Sequence, residues 1–233
     1  MSFITDPGHG GKDSGAINSL TGDTEKEIVL DFSLRYNRHF EALTGIKPHL
    51  TRDDDSFVEL SDRAAMANRL RLKLLSFHCN ASNTQGHGVE AFTSVGQTNS
   101  DPWATALLET YAEQNPGVAK RYDLSDGDPD KEARFTVLTA TKAEAVLFEL
   151  GFIDNPEDIQ FLSDPDWRER NSYALARATA RHFGLLKGEA PAFFPVNSPA
   201  SDSEVIEPVR ILSLAERLDH IRYQVDQIAE DYA

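Results

Sequence analysis

Two histidines and two glutamates stand at the edges of predicted elements: His9, Glu25, His78 and Glu149. Two neutral imidazole nitrogens and one carboxylate form a tripod that suits Zn2+, with the fourth position left for water. Bound zinc lowers the pKa of that water and polarises a carbonyl. A nearby unliganded carboxylate can then take the water's proton and pass it to a leaving amine. The chemistry is amide hydrolysis. No His-Glu-x-x-His helix brings two of these residues together, so spacing alone leaves open which carboxylate binds and which acts as base.

The elements that must position these residues follow from the hydrophobic pattern. Phe3-Ile4-Thr5 reads as a strand that ends in the glycine-rich turn Gly8-His9-Gly10-Gly11. Thr24 and Glu27 have the form of a capping box, and Ile28, Phe32, Tyr36 and Phe40 recur every four residues, which predicts a helix over about 25–43 closed by Gly45. Asp23 and Glu27 compete with Glu25 for a ligand role, but the capping box already employs Glu27. Residues 46–51 read as a strand and 60–70 as a helix. Lys73 to His78 has the short apolar character of a buried strand with His78 at its carboxyl end. Further strands are predicted at 89–93, 135–138 and 145–148, helices at 103–114 and 167–183, a short helix from Asn155, and a polar loop over 123–131. Strands alternating with helices imply an α/β fold around a mostly parallel sheet. In such sheets ligands gather outside the strand carboxyl ends, where His9, His78 and Glu149 fall.

Composition narrows the function. Asp and Glu number 38 against 23 Lys and Arg, a formal charge of -15, which argues against a nucleic-acid partner. The single cysteine, Cys79, excludes an intramolecular disulfide and a four-cysteine zinc module, so His and carboxylate must hold any metal. No apolar run is long enough to span a bilayer, so no membrane insertion is expected. No export signal is visible before Asp6-Pro7, and the expectation is a protein made in the cytoplasm. From Gly188 to about Glu204 the chain is rich in Pro, Ser and Ala and reads as a linker, 188–204. Beyond it Ile211, Leu214, Leu218, Ile221, Val225, Ile228 and Tyr232 keep the a/d spacing of a coiled coil. The expectation is a C-terminal amphipathic helix over 205–233 that supports a homo-oligomer; packing back on the main domain is the alternative.

Several blocks, in order over roughly residues 3–185, resemble the zinc-dependent N-acetylmuramoyl-L-alanine amidases, the cell-wall hydrolases of bacteria and phage endolysins. They are Asp6-Pro7-Gly8-His9-Gly10-Gly11-Lys12-Asp13-Ser14-Gly15-Ala16, Glu25-Lys26-Glu27-Ile28-Val29-Leu30, Leu50-Thr51-Arg52, Arg63 with Ala67-Asn68, Ser76-Phe77-His78-Cys79-Asn80-Ala81, and Glu149-Leu150-Gly151-Phe152-Ile153-Asp154-Asn155-Pro156. The resemblance implies that His9, Glu25 and His78 bind Zn2+ and that Glu149 is the catalytic carboxylate. It implies a catalytic domain over 1–187 with a twisted sheet of about six strands flanked by helices, and peptidoglycan as the substrate. Phe77 and Cys79 depart from the more usual Ile and Ala around the second histidine. Some relatives carry an extra helix that blocks the zinc; residues 94–134 are too few for that insertion, so an open site is expected.

Blander readings exist for each residue. His9 serves as a turn residue, His78 as a core histidine, and Glu149 as half of a salt bridge. Cys79 should point to the opposite face of its strand as core filler. His39, His49, His182 and His220 read as surface or helix-face residues, and His87 as a loop residue. The rival functions are a zinc peptidase cutting within the stem peptide and a non-catalytic wall-binding module. The lack of a leader before a compact domain favours an endolysin that reaches the wall from the host cytoplasm.

Overall fold

The computed structural model describes residues 1–188. The linker expected over 188–204, but for Gly188 itself, and the helix expected over 205–233, with His220 and the oligomer expected from its seam, lie outside them.

The chain forms β1 (Phe3–Pro7), α1 (Glu25–Thr44), β2 (His49–Leu50), α2 (Leu60–Leu70), β3 (Lys73–Asn80), β4 (Glu90–Thr93), α3 (Asp101–Gln114), β5 (Lys131–Glu132), α4 (Thr136–Thr139), β6 (Ala145–Phe152), α5 (Asp158–Leu162) and α6 (Pro165–His182). The sheet order is β2-β1-β3-β6-β4-β5. β2, β1, β3 and β6 run parallel, while β4 is antiparallel to β6 and β5 parallel to β4.

Alternation along the strands sorts the core into two layers. Leu75, Phe77 and Cys79 of β3 and Val146, Phe148 and Leu150 of β6 face a large layer with Phe32 and Tyr36 of α1, Trp103 and Tyr111 of α3, and Leu175 of α6. Leu74, Ala145 and Leu147 face a smaller layer with Ala67 of α2 and Val137 and Leu138 of α4. The same alternation turns His78 and Glu149 toward the face of that smaller layer. Both imidazoles of the cleft stay partly accessible there, with side-chain exposures of 23% for His9 and 17% for His78.

Two expectations are corrected. Residues 135–138 are not a strand: Thr136–Thr139 is one helical turn, its amides bonding back to Phe135 and Thr136. Both flanks of β6 are already taken by β3 and β4, so this run cannot pair beside β6 and packs Val137 and Leu138 on the sheet face instead. The polar loop over 123–131 leads at its last residue, Lys131, into the short strand β5. The capping box at α1 is incomplete, because the Thr24 hydroxyl bonds the Glu27 carboxylate at 2.6 Å and caps no backbone amide. His39 is a helix-face residue that is buried, its ring 2.9 Å from Glu169 of α6.

Candidate metal centre

The turn after β1 presents His9. Its backbone lies in the left-handed region at φ 61, a strained conformation for a residue with a side chain. Two arginines secure it from behind. Arg63 donates to the carbonyls of Pro7 and His9, both at 2.7 Å, and to the Asp6 carboxylate at 2.7 Å. Arg52 donates to Pro7 at 3.0 Å, Gly8 at 2.7 Å and Lys26 at 2.9 Å. The carbonyls of a tight turn, which no ladder can satisfy, thus find buried partners. Asp6 is fully buried and also accepts from Thr51 at 2.6 Å and Ser76 at 2.7 Å. Burial alone would raise its pKa; the Arg63 charge and these hydrogen bonds outweigh it and hold Asp6 below the ordinary value. Burial beside Arg63 pushes Arg52 down to about 10.

The ligand atoms of His9, Glu25 and His78 converge within 4.8 Å of one another. His9 Nε2 lies 3.0 Å and His78 Nδ1 2.9 Å from the same oxygen, Glu25 Oε1. The rings stand edge to face with centroids 5.0 Å apart. Glu25 sits in the first turn of α1, nearly fully buried, and accepts from the Cys79 amide on Oε1 and the Ala16 amide on Oε2, both at 3.0 Å. Burial opposes its charge, but hydrogen bonds from His78 and His9 prevail and keep it well below the usual carboxylate range. Asp13 fixes the other nitrogen of His9, with Nδ1 2.9 Å from Oδ2, and is itself held by the Gly15 amide at 3.0 Å. Nε2 is left to face the cluster, the orientation metal-ligating histidines receive from a carboxylate partner. Burial disfavours charge on His9, yet Glu25 and Asp13 together raise its pKa.

Two glycines make the room. A Cβ on Gly8 would meet the His78 ring at 2.3 Å, and one on Gly15, at φ +63, would meet Glu25 Oε2 at 2.5 Å. A donor set of two imidazoles and one ionised carboxylate, aimed at one point and braced from behind, fits a divalent metal ion.

Glu149 lies beside His78 in parallel register and opposite Glu90 in antiparallel register. Its Oε2 is buried and finds no hydrogen-bonding partner among the described residues. Burial pushes its carboxyl well above the ordinary value, and the charges of Glu25 and Glu90 push the same way. A raised carboxyl so placed is suited to taking up a proton in the cleft and giving it back. Cys79 is buried in the core on the other face, as expected, and burial followed by the Glu25 and Glu149 charges drives its thiol upward, which makes it inert.

All four predicted residues are therefore brought to one end of the sheet. The sequence reading assigned no role to Asp6, Asp13, Arg52, Arg63 or Glu90. Asp13 carried a signal, a carboxylate four residues after a histidine in a glycine loop. Glu90 carried another, a charge on the inward-facing side of an apolar strand.

A mostly parallel α/β sheet that gathers a carboxyl and a His-Glu-His cluster able to take a metal ion at its strand ends is the frame of a hydrolase. Residues 4–181 match the N-acetylmuramoyl-L-alanine amidase family, and the chain belongs to it. It is 33% identical over 185 residues to the N-acetylmuramoyl-L-alanine amidase LytC of Bacillus subtilis, covering 78% of this chain and 35% of that protein. It is also 33% identical over 190 residues to the endolysin of Bacillus phage SPP1, covering 80% of this chain and 68% of the endolysin. Among solved structures, the amidase AmiC2 of Nostoc punctiforme superposes with a TM-score of 0.71 at 29% identity, over 79% of this chain and 97% of that one.

Proposed function

We propose that this protein hydrolyses the amide joining N-acetylmuramic acid to L-alanine in peptidoglycan, with Zn2+ held by His9, Glu25 and His78 and with Glu149 as general base and then acid. The observation that supports it most is the convergence of both imidazoles on Glu25 Oε1 at 3.0 and 2.9 Å, with the unpartnered Glu149 oxygen beside them. Zinc there supplies a Lewis acid that polarises the scissile carbonyl and acidifies water. Asp13 keeps the His9 proton on Nδ1, and Cys79 and Ala16 keep Glu25 oriented and ionised. Glu149 takes one proton as water oxygen attacks the carbonyl carbon. It returns that proton to the alanine nitrogen as the C–N bond breaks, leaving a carboxylic acid on the muramyl side and an amine on the peptide, which at neutral pH become carboxylate and ammonium by transfer of the acid's proton.

All three ligands and the carboxyl are present, which speaks against a purely wall-binding role. The chain spans about a third of the LytC protein and about two thirds of the phage endolysin. The test is release of new amino termini from purified peptidoglycan by the wild type, the chelated protein and Glu149→Gln. L-Alanine termini, restored by zinc after chelation and lost in the variant that still binds metal, are expected. A different terminal residue would point to the stem-peptide peptidase instead.

A further inference from the structure

Resting on the amidase reading, the geometry points to Arg121 as a specificity residue that clamps a free carboxylate of the stem peptide, on the second or third residue beyond the cleaved amide. Glu90 is the anchor. It is 3% exposed, and its two oxygens are shared among three partners: Asn80 Nδ2 at 3.0 Å on Oε2, and Lys131 Nζ at 2.9 Å and Arg121 Nε both on Oε1. A single buried negative charge thus holds two cations, and one positive charge is left over at this edge of a cleft otherwise rich in carboxylates.

Arg121 is held from three sides. Its amide donates to Val89 at 3.1 Å, its Nε meets Glu90, and its guanidinium carbon lies 5.1 Å from the centre of the Phe152 ring. Only Nε is engaged by Glu90: among the described residues neither terminal nitrogen has a partner, and the side chain remains 41% exposed. A planar fork with both outer nitrogens free and the stem immobilised is the form of guanidinium that takes a carboxylate in two parallel hydrogen bonds. A purely structural arginine would be expected to spend those nitrogens on the loop it closes, as Arg52 and Arg63 do here.

Position selects the ligand. β4 is antiparallel, so its amino end, with Glu90, lies beside the carboxyl ends of β3 and β6 where His78 and Glu149 stand in register. Two strand spacings of about 4.8 Å separate the His78 and Glu90 columns. Arg121 lies past Glu90, so an extended peptide at about 3.3–3.6 Å per residue brings its second or third residue there. In peptidoglycan two such carboxylates are available, each left free in some walls and converted to the amide in others: the α-carboxylate of D-glutamate at position two and, where the third residue is a diamino diacid, its second carboxylate.

Four soluble muramyl peptides, carboxylate or carboxamide at each of the two positions, test this on the zinc-loaded full chain. In the wild type, amidation at the contacted position should raise KM about tenfold with kcat little changed, the loss of one charge-assisted pair. Arg121→Gln should abolish the discrimination by weakening the carboxylate substrate alone. Arg121→Lys should recover part of it, and the position whose amidation matters identifies the source. The same peptides titrated calorimetrically into Glu149→Gln and into Glu149→Gln/Arg121→Gln give the comparison without turnover. An unchanged carboxylate-to-carboxamide ratio in Arg121→Gln, or an equal fall in kcat on all four peptides, overturns the clamp. If the wild type frees no L-alanine from any peptide, the amidase reading fails, and the calorimetric pair still decides the clamp.

Discussion

Replacing Gly8 by alanine places a methyl group where the His78 ring now stands. The added carbon would lie 2.3 Å from Cε1 and 2.6 Å from both ring nitrogens, whereas ordinary contact begins near 3.4 Å. The backbone cannot withdraw, because the Gly8 amide donates to Phe77 at 3.0 Å and its carbonyl accepts from Arg52 at 2.7 Å. The ring must therefore retreat by about 1 Å, while metal–ligand distances tolerate only about 0.2 Å. Orienting partners alone change metal affinity about 10–100-fold. Displacing a ligand outright should therefore weaken zinc binding by at least the upper end of that range. Chelator competition on Gly8→Ala reads this, with Gly117→Ala as control because nothing lies within 4 Å of that position. Circular dichroism checks that the metal-free fold survives. A folded Gly8→Ala protein that binds zinc within threefold of wild type would refute the assignment of His78 as a ligand in this geometry.

Asp13→Ala should weaken metal binding about 10–100-fold by freeing the His9 ring, and Asp13→Asn, which retains an oxygen acceptor, should do so less; the same competition assay compares them. Arg63→Met leaves Asp6 buried without its cation and strips partners from the Pro7 and His9 carbonyls, so urea unfolding should show a loss of about 3–5 kcal/mol. The metal-free protein should have opposed pH limits. Glu25 and Asp6 have lowered folded pKa values, so the stability they contribute is present above the ordinary carboxylate range and is lost as pH falls through their folded values. His9 has a raised value, so its contribution is full below the ordinary histidine value of 6.5 and disappears as pH rises through the folded value. Thermal melts of chelated protein should therefore peak on the acid side of neutrality, while zinc affinity rises with pH over the same window because the metal displaces the His9 proton. A metal-free melting temperature that climbs steadily from pH 6 to 8 would contradict the ion pairing described for His9.

Much of the site is legible in the amino-acid sequence because it is encoded locally. A glycine turn after a short strand puts His9 at a strand end, four-residue periodicity starts α1 near Glu25, and apolar runs ending in His78 and Glu149 mark the carboxyl ends of β3 and β6. Period-two alternation even orients His78 and Cys79 to opposite faces. The fold class follows from the same signals. What failed was local preference without tertiary competition: Phe135 to Leu138 has the residues of a strand, yet β3 and β4 already occupy both sides of β6.

The sequence by itself determined the residue types of the centre, their place at element ends, and the alternating pattern that divides core from cleft, since these depend on neighbours within a few positions. Only the tertiary structure decided which carboxylate joins the imidazoles and which stands apart. Glu25 and Glu149 are chemically alike and 124 residues apart, and their roles diverge because α1 delivers one against two histidines and backbone amides, while β6 holds the other half-buried, its buried Oε2 without a hydrogen-bonding partner among the described residues. It also decided that Asp13 orients His9, that Arg52 and Arg63 hold the turn, and that Glu90 presents Arg121 to the cleft. Hydrogen bonds, burial and mutual charge act through space, and no sequence spacing records them.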